Sequence, residues 1–263
     1  MTTNTYSIDK IQSIVDVEIY FQDATDKTLG IFDIDETLLI PADPAFQKPN
    51  ARKHANIVQP IKEQFDLEKQ DLLSNLILIL SQSQLLEENS PQLIAKLQKQ
   101  GIPLIALTAA MTRKFNQHYL PEMRYGELLK WGINFAGAFA DKQHILIDSV
   151  SVCNNSVPIF YSGILCSNGD HRRHNSATSK GKVLCEFLKQ AAWRPTSIIF
   201  VDDKLYNLEE MRHALYAFDP HICYQGLHYI GNQMITSPDI HEELIKAKWN
   251  ELSNQVKFYS QYH

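Results

Sequence analysis

The chain has little of what marks several large classes of protein. Its longest uninterrupted apolar run, Leu76 to Leu80, is far short of the ~20 residues that a membrane-spanning helix needs, so no membrane span is expected. The stretch Met1 to Ser7 has neither the basic nor the apolar segment that opens a secretory leader. The expectation is therefore a cytoplasmic protein, or an exported one from which a leader has been removed. Cys153, Cys166, Cys185 and Cys223 are widely spaced, with no C-x-x-C and no Cys/His pairing at zinc spacing, and are expected to be reduced and structural. The ten histidines are scattered and include no H-E-x-x-H pair. Lysine and arginine total 25 against 30 acidic residues and form no basic tract, so a nucleic-acid partner is not expected. With no internal repeat, linker or low-complexity tract, the 263 residues are expected to form one domain.

What is present is a soluble globular composition, 44% apolar and 21% charged, and a short stretch around which the rest is organised. Leu29-Gly30-Ile31-Phe32 does not alternate with polar residues, as a strand buried on both faces would not. It runs into Asp33-Ile34-Asp35-Glu36-Thr37. In an open parallel α/β sheet, ligands bind outside the carboxyl ends of the strands, so Asp33 and Asp35 are placed for chemistry. Two carboxylates this close can hold different protonation states and divide the roles of nucleophile and acid/base. Thr37 is suited to tie the loop back through its hydroxyl, or to meet a substrate.

Two further apolar runs end in the same way. Leu104 to Leu107 stops at Thr108-Ala109, whose hydroxyl and backbone N–H groups suit a phosphoryl oxygen, and Ile198 to Val201 stops at Asp202-Asp203. Lys180 opens the helix before the last run, where a cation opposes the helix dipole unless an anion is near. Mg²⁺ takes one or two carboxylates plus water and phosphate oxygens, so Asp202 or Asp203 beside Asp33 forms a plausible site.

The remaining expectations concern the frame. Ser7 reads as the N-cap of an opening helix to about residue 22, with Ile8, Ile11, Val15 and Ile19 on one face. Residues 40–90 read as a helical insertion that lies over the carboxylates as a lid. Residues 111–132 read as helical. From 133 to 167 a short strand at 133–139 precedes a β-hairpin addition built from 144–147 and 158–165. Ser237-Pro238 reads as the opening of a terminal helix.

The order Asp33-x-Asp35-x-Thr37, Thr108, Lys180, Asp202-Asp203 resembles the four motifs of the haloacid dehalogenase superfamily, over residues 28 to about 208. The chain looks most like a poorly characterised bacterial branch of it. The resemblance implies a Rossmann-like parallel sheet flanked by helices with a small helical cap, a Mg²⁺ ion and an aspartyl-phosphate intermediate. It makes Asp33 the nucleophile, Asp35 the acid/base, Thr108 the phosphate-binding hydroxyl and Lys180 the neutralising cation, in preference to Lys182. Asp33, the backbone carbonyl of Asp35 and one of Asp202 and Asp203 would hold the metal. The leading expectation is a phosphatase for a small-molecule or protein phosphomonoester. A phosphotransferase of the same mechanism and a non-catalytic binding protein on the same scaffold are the alternatives. Arg172 and Arg173, tethered close to Lys180, either lie in solvent or pair with acids of the insertion, or one of them binds a second anionic group of the substrate.

Overall fold

The computed structural model describes residues 6–115, 117–150, 156–169 and 178–261. The chain opens with strand β1 (Tyr6–Ile11), a 3-10 helix over Ile14–Phe21 and strand β2 (Thr28–Phe32). An insertion follows: β3 (Leu39–Pro41), α1 (Lys48–Lys53), α2 (Ala55–Glu63), α3 (Leu67–Leu80) and β4 (Ser83–Leu85). Helix α4 (Ser90–Lys99) leads into β5 (Leu104–Thr108). A small ladder of β6 (Lys114–Phe115) and β7 (His118–Tyr119) precedes α5 (Leu120–Lys130), and then come β8 (His144–Leu146), β9 (Ile159–Tyr161) and β10 (Ile164–Cys166). The chain ends with α6 (Lys180–Gln190), β11 (Ser197–Asp202), α7 (Leu205–Phe218), β12 (Cys223–Tyr229) and α8 (Glu242–Gln261).

One sheet, in the order β1-β12-β11-β2-β5-β10-β9-β8, runs through the molecule. Its first six strands are parallel, and β9 and β8 add on antiparallel at the far edge. The architecture is α/β, a mostly parallel central sheet with helices on both faces. Both faces are dry, which is why the central strands read as continuous apolar runs. Phe32, Ala106 and Val201 face the 3-10 helix, α4 and α5; Leu29, Ile31, Leu107 and Phe200 face α6 and α7. Gly30 is required on the first face: a Cβ there would lie 2.3 Å from Leu104 Cδ2 and 2.9 Å from Phe21 Cζ. Among the described residues no helix is long and apolar enough to cross a membrane. Cys166 and Cys185 are buried free thiols, and burial pushes both up to about 12, so they stay protonated; Cys153 lies outside the described residues.

A third core belongs to the insertion. Antiparallel pairing of β3 with β4 closes its base, and Phe46, Val58, Leu72 and Leu76 pack with Ile245, Trp249 and Leu252 of α8. The Trp249 indole N–H donates to Ala45 O at 2.9 Å, so the terminal helix holds the insertion rather than the sheet.

Several local expectations are corrected. Tyr6–Ile11 is an edge strand, not a helix, because β12 offers it a full parallel ladder. The N-cap is Ser13, whose Oγ accepts from Val15 N while Asp16 reaches back to Ser13 N. Ile14, Val17 and Phe21 form the buried face, and Val15 and Ile19 are exposed. Helix α5 starts only at Leu120, and residues 133–139 form no strand but an irregular stretch and turns, anchored by buried Ile133, Phe135 and Phe139. The single strand expected over 158–165 is two, β9 and β10, joined at Ser162 and Gly163, whose φ values of 46° and 85° fit a tight hairpin turn. Ser237 and Pro238 precede α8 and instead brace the insertion, through Gln47 and Asn50.

Candidate active site at the strand ends

Strands β11, β2 and β5 are neighbours, so Asp202, Asp33 and Thr108 emerge side by side at their carboxyl ends. Asp33 N donates to Val201 O at 2.9 Å, carrying the ladder one residue past β2 and fixing where its side chain starts. The turn beyond is tight. Leu38 N and Leu39 N both donate to Ile34 O at 2.9 Å, and Glu36 stands at φ 67°, a left-handed conformation uncommon for L side chains. Thr37 is buried, with its hydroxyl turned to Asp33 Oδ2 at 3.4 Å. It supports the loop and does not line the adjacent cavity.

Lys180 is the link between strands. Its Nζ donates to Asp33 Oδ1 at 2.6 Å and to Asp202 Oδ2 at 2.7 Å, and it is 5% exposed. Lys182, one turn position away, points outward on the exposed side of α6. Asp202 is fully buried and saturated: Lys204 N donates to Oδ1 at 2.8 Å, and Asn207 Nδ2 lies 2.9 Å from both oxygens. Asp203 Oδ2 accepts from Lys48 Nζ at 2.8 Å and from Asn232 Nδ2 at 3.0 Å, whereas its Oδ1 is buried without a partner. Lys48 also lies 3.4 Å from Glu36.

Asp33, Asp202 and Asp203 bring carboxylate oxygens within 4.8 Å of one another. With Glu36 they are four carboxylates against two ammonium groups, Lys48 and Lys180. Burial pushes the Asp33 carboxyl up, to about 7, against the pull of Lys180, and Asp202 and Asp203 add to the rise. Burial alone would lower Lys180, but the two carboxylates at its Nζ hold its pKa above the usual lysine range. An orphaned buried oxygen, a closely spaced acid set and surplus negative charge fit a hard divalent cation. The Asp35 side chain is not part of that group.

Asp35 is held elsewhere. Its Oδ1 accepts from Arg124 Nη2 at 2.7 Å and its Oδ2 from Thr108 Oγ1 at 3.2 Å. Arg124 is fully buried, pairs also with Glu127, and donates to Ser83 Oγ at 3.3 Å. Burial alone would lower its pKa, but the Asp35 and Glu127 carboxylates raise it. Sequence reasoning missed Arg124, although a signal existed: it sits in register with the buried Leu120 and Leu128 on the apolar side of α5. Lys48 was also missed, and nothing in its local sequence marks a contact with Asp203.

A cavity of about 230 Å³ opens beside these groups, lined by Asp33, Asp35, Thr108, Ala109, Lys180 and, from the insertion, Lys48. The insertion thus supplies part of the cavity wall beside the carboxylates. A larger hollow of about 570 Å³ lies between α6 and α7, with Lys182, Glu186 and His213 on its walls and none of the strand-end acids. Its size counts for less than the convergence of charge in the smaller one. Arg172 and Arg173 lie outside the described residues.

Residues 10–260 match the protein family described as "Protein of unknown function (DUF2608)". Three Rickettsia proteins, each called an uncharacterized protein, are similar to the chain. That of Rickettsia felis is 27% identical over 148 residues, 56% of this chain and 48% of its own length. That of Rickettsia bellii is 24% identical over 232 residues, 87% of this chain and 75% of its own. That of Rickettsia conorii is 25% identical over 177 residues, 66% and 56% of the two chains. The chain thus spans about half the length of the first and third and three quarters of the second. With nearly its whole length matched, this protein belongs to the DUF2608 family.

Proposed function

We propose that this protein is a Mg²⁺-dependent phosphomonoesterase of haloacid dehalogenase type that acts through Asp33. One observation carries the reading: a buried carboxylate on the cavity wall, 2.6 Å from a buried ammonium group and within metal-ligand spacing of two more carboxylates. Phosphoryl transfer asks mainly for positioning and charge neutralisation, and this arrangement offers both.

In the proposed reaction an Asp33 oxygen attacks phosphorus and the bond from phosphorus to the ester oxygen breaks, leaving an aspartyl phosphate. Lys180 neutralises charge on the nucleophile and the incoming phosphoryl group, and the Thr108 hydroxyl is within reach of a phosphoryl oxygen. Asp35 protonates the departing oxygen, then takes a proton from the water that hydrolyses the acyl phosphate. Its pairing with Arg124 holds the side chain in place for both roles. Bound Mg²⁺, held by Asp33, by Asp203 of the Asp202/Asp203 pair and by the Asp35 carbonyl that the resemblance implies, would offset negative charge on the phosphoryl oxygens.

The test is turnover of 4-nitrophenyl phosphate with and without Mg²⁺. Asp33→Asn should abolish it, and Asp35→Asn should slow it by a general-catalysis factor of about 10² to 10⁴ while phosphoryl protein labile to hydroxylamine and base accumulates. Phosphoryl labelling that survives Asp33→Asn would reverse the assignment.

A further inference from the structure

The cavity can be read for what it takes besides the phosphoryl group. Its volume, about 230 Å³, lies below the ~300–1,000 Å³ typical of sites for drug-sized ligands, which points to a compact substrate. Besides the carboxylates the lining is largely apolar: Leu39 and Pro41 from β3, Phe46, and Ile77 and Leu78 from α3.

The polar side chains that the insertion places there are already engaged. Ser74 donates its hydroxyl proton to Gln70 O at 3.0 Å. Asn75 accepts from Met111 N at 2.8 Å and donates to Asp71 O at 2.8 Å. The wall therefore offers little to the hydroxyl groups of a sugar, which would lose water without matching partners.

The cations are not equivalent. Lys180 is committed to Asp33 and Asp202, and Lys48 to Asp203 and Glu36. Lys204 also lines the cavity, and its backbone N–H is anchored to Asp202 Oδ1, yet its ammonium group has no hydrogen bond or ion pair among the described residues. Half-buried Lys204, its ammonium group uncommitted among the described residues, suits an anionic substituent of the bound molecule other than the reacting phosphoryl group.

We infer that the leaving group is a small apolar alcohol, aromatic or branched, that carries one additional carboxylate or phosphate, with Leu39, Phe46, Ile77 and Leu78 on its body and Lys204 on its second charge. The inference rests on the phosphatase reading for the reacting end alone, and binding can be measured apart from turnover.

The probes are methylphosphonate, 2-hydroxyethylphosphonate, benzylphosphonate and 4-carboxybenzylphosphonate, titrated calorimetrically into the full chain with Mg²⁺. Benzylphosphonate should bind about tenfold or more tightly than either small phosphonate, as burial of a ring predicts. The carboxylated ligand should bind more tightly still. Lys204→Met should remove the carboxylate's gain and leave benzylphosphonate unchanged, and Leu78→Asp should weaken both aromatic ligands relative to methylphosphonate. Hydroxyethyl and benzyl ligands binding alike, or a carboxylate gain that survives Lys204→Met, would overturn the inference even if aryl phosphates are hydrolysed. The expected order without turnover of any aryl phosphate would leave the pocket assignment standing and remove the phosphatase reading. Absence of binding by all four together with absence of turnover would remove both.

Discussion

Arg124 Nη2 sits 2.7 Å from Asp35 Oδ1, across 89 residues of sequence, and it does so from a fully buried position. A buried guanidinium group is costly unless paired, and Asp35 and Glu127 are its partners. The contact fixes the direction of the carboxylate proposed as acid/base. Arg124→Gln should lower stability by about 3–5 kcal/mol and lower kcat, because Asp35 loses the partner that aims it. Glu127→Gln should lower stability while leaving kcat in place, since Arg124 still reaches Asp35. Thermal melts and kcat of the two variants check this; an unchanged kcat in Arg124→Gln would reduce Arg124 to a structural residue.

The metal assignment now separates two residues that the sequence leaves equivalent. Asp202 is saturated by Lys180, Asn207 and Lys204 N, whereas Asp203 keeps one buried oxygen without a partner. Asp203→Asn should therefore weaken Mg²⁺ binding by about tenfold or more with little loss of fold, shrinking the rise in melting temperature that Mg²⁺ produces. Asp202→Asn would turn an amide toward donors and break a buried pair, so it should destabilise the protein by about 3–5 kcal/mol with or without metal. Calorimetric Mg²⁺ titration alongside melting curves distinguishes them. Equal stability losses in the two variants would contradict the division.

The site was legible because its chemistry lies at the ends of buried strands, and an apolar run that stops at Asp or Thr can be seen without coordinates. The helix-opening position of Lys180 marks it only weakly, and the resemblance to the four motifs selects it. Lys48 was not legible, since it acquires its role from a partner distant in sequence, and Arg124 was signalled only by its place on the buried side of α5, not by Asp35. The misread opening segment has the same cause: Ile8 and Ile11 fit a helix period locally, but the free edge of β12 decides for a strand. The insertion was visible as surplus length, whereas its packing against α8 was not, because Trp249 and Leu72 share a core only in three dimensions.

Asp33 predicts a pH dependence. Burial, with Asp202 and Asp203 adding, raises its carboxyl from 3.8 to about 7 against the attraction of Lys180. A carboxyl raised on folding contributes stability that is full below its unfolded pKa and is lost as pH rises through the folded value. Metal-free protein should therefore lose stability relative to Asp33→Asn between about pH 4 and pH 8, and Mg²⁺ should restore part of the loss. Melting temperatures of both proteins in EDTA across that range test it. A wild-type protein that gains on the variant with rising pH would show the opposite sign.

Lys48 gives the last prediction, because it joins the insertion to the acid cluster. Its Nζ lies 2.8 Å from Asp203 Oδ2 and 3.4 Å from Glu36. Burial alone would lower its pKa, but the two carboxylates raise it, so it stays charged. In metal-free protein it neutralises part of the excess negative charge, and at Asp203 it stands where it competes with a cation. Lys48→Met keeps the length of the side chain and removes the charge. The variant should be less stable than wild type without metal, since Asp203 and Glu36 are left facing each other. It should also bind Mg²⁺ several-fold more tightly and show a larger Mg²⁺-induced rise in melting temperature. Salt should narrow the metal-free difference in part, because Asp203 is buried while the Lys48 side chain is 35% exposed. Weaker Mg²⁺ binding in the variant would mean that Lys48 supports the cation site rather than competing with it.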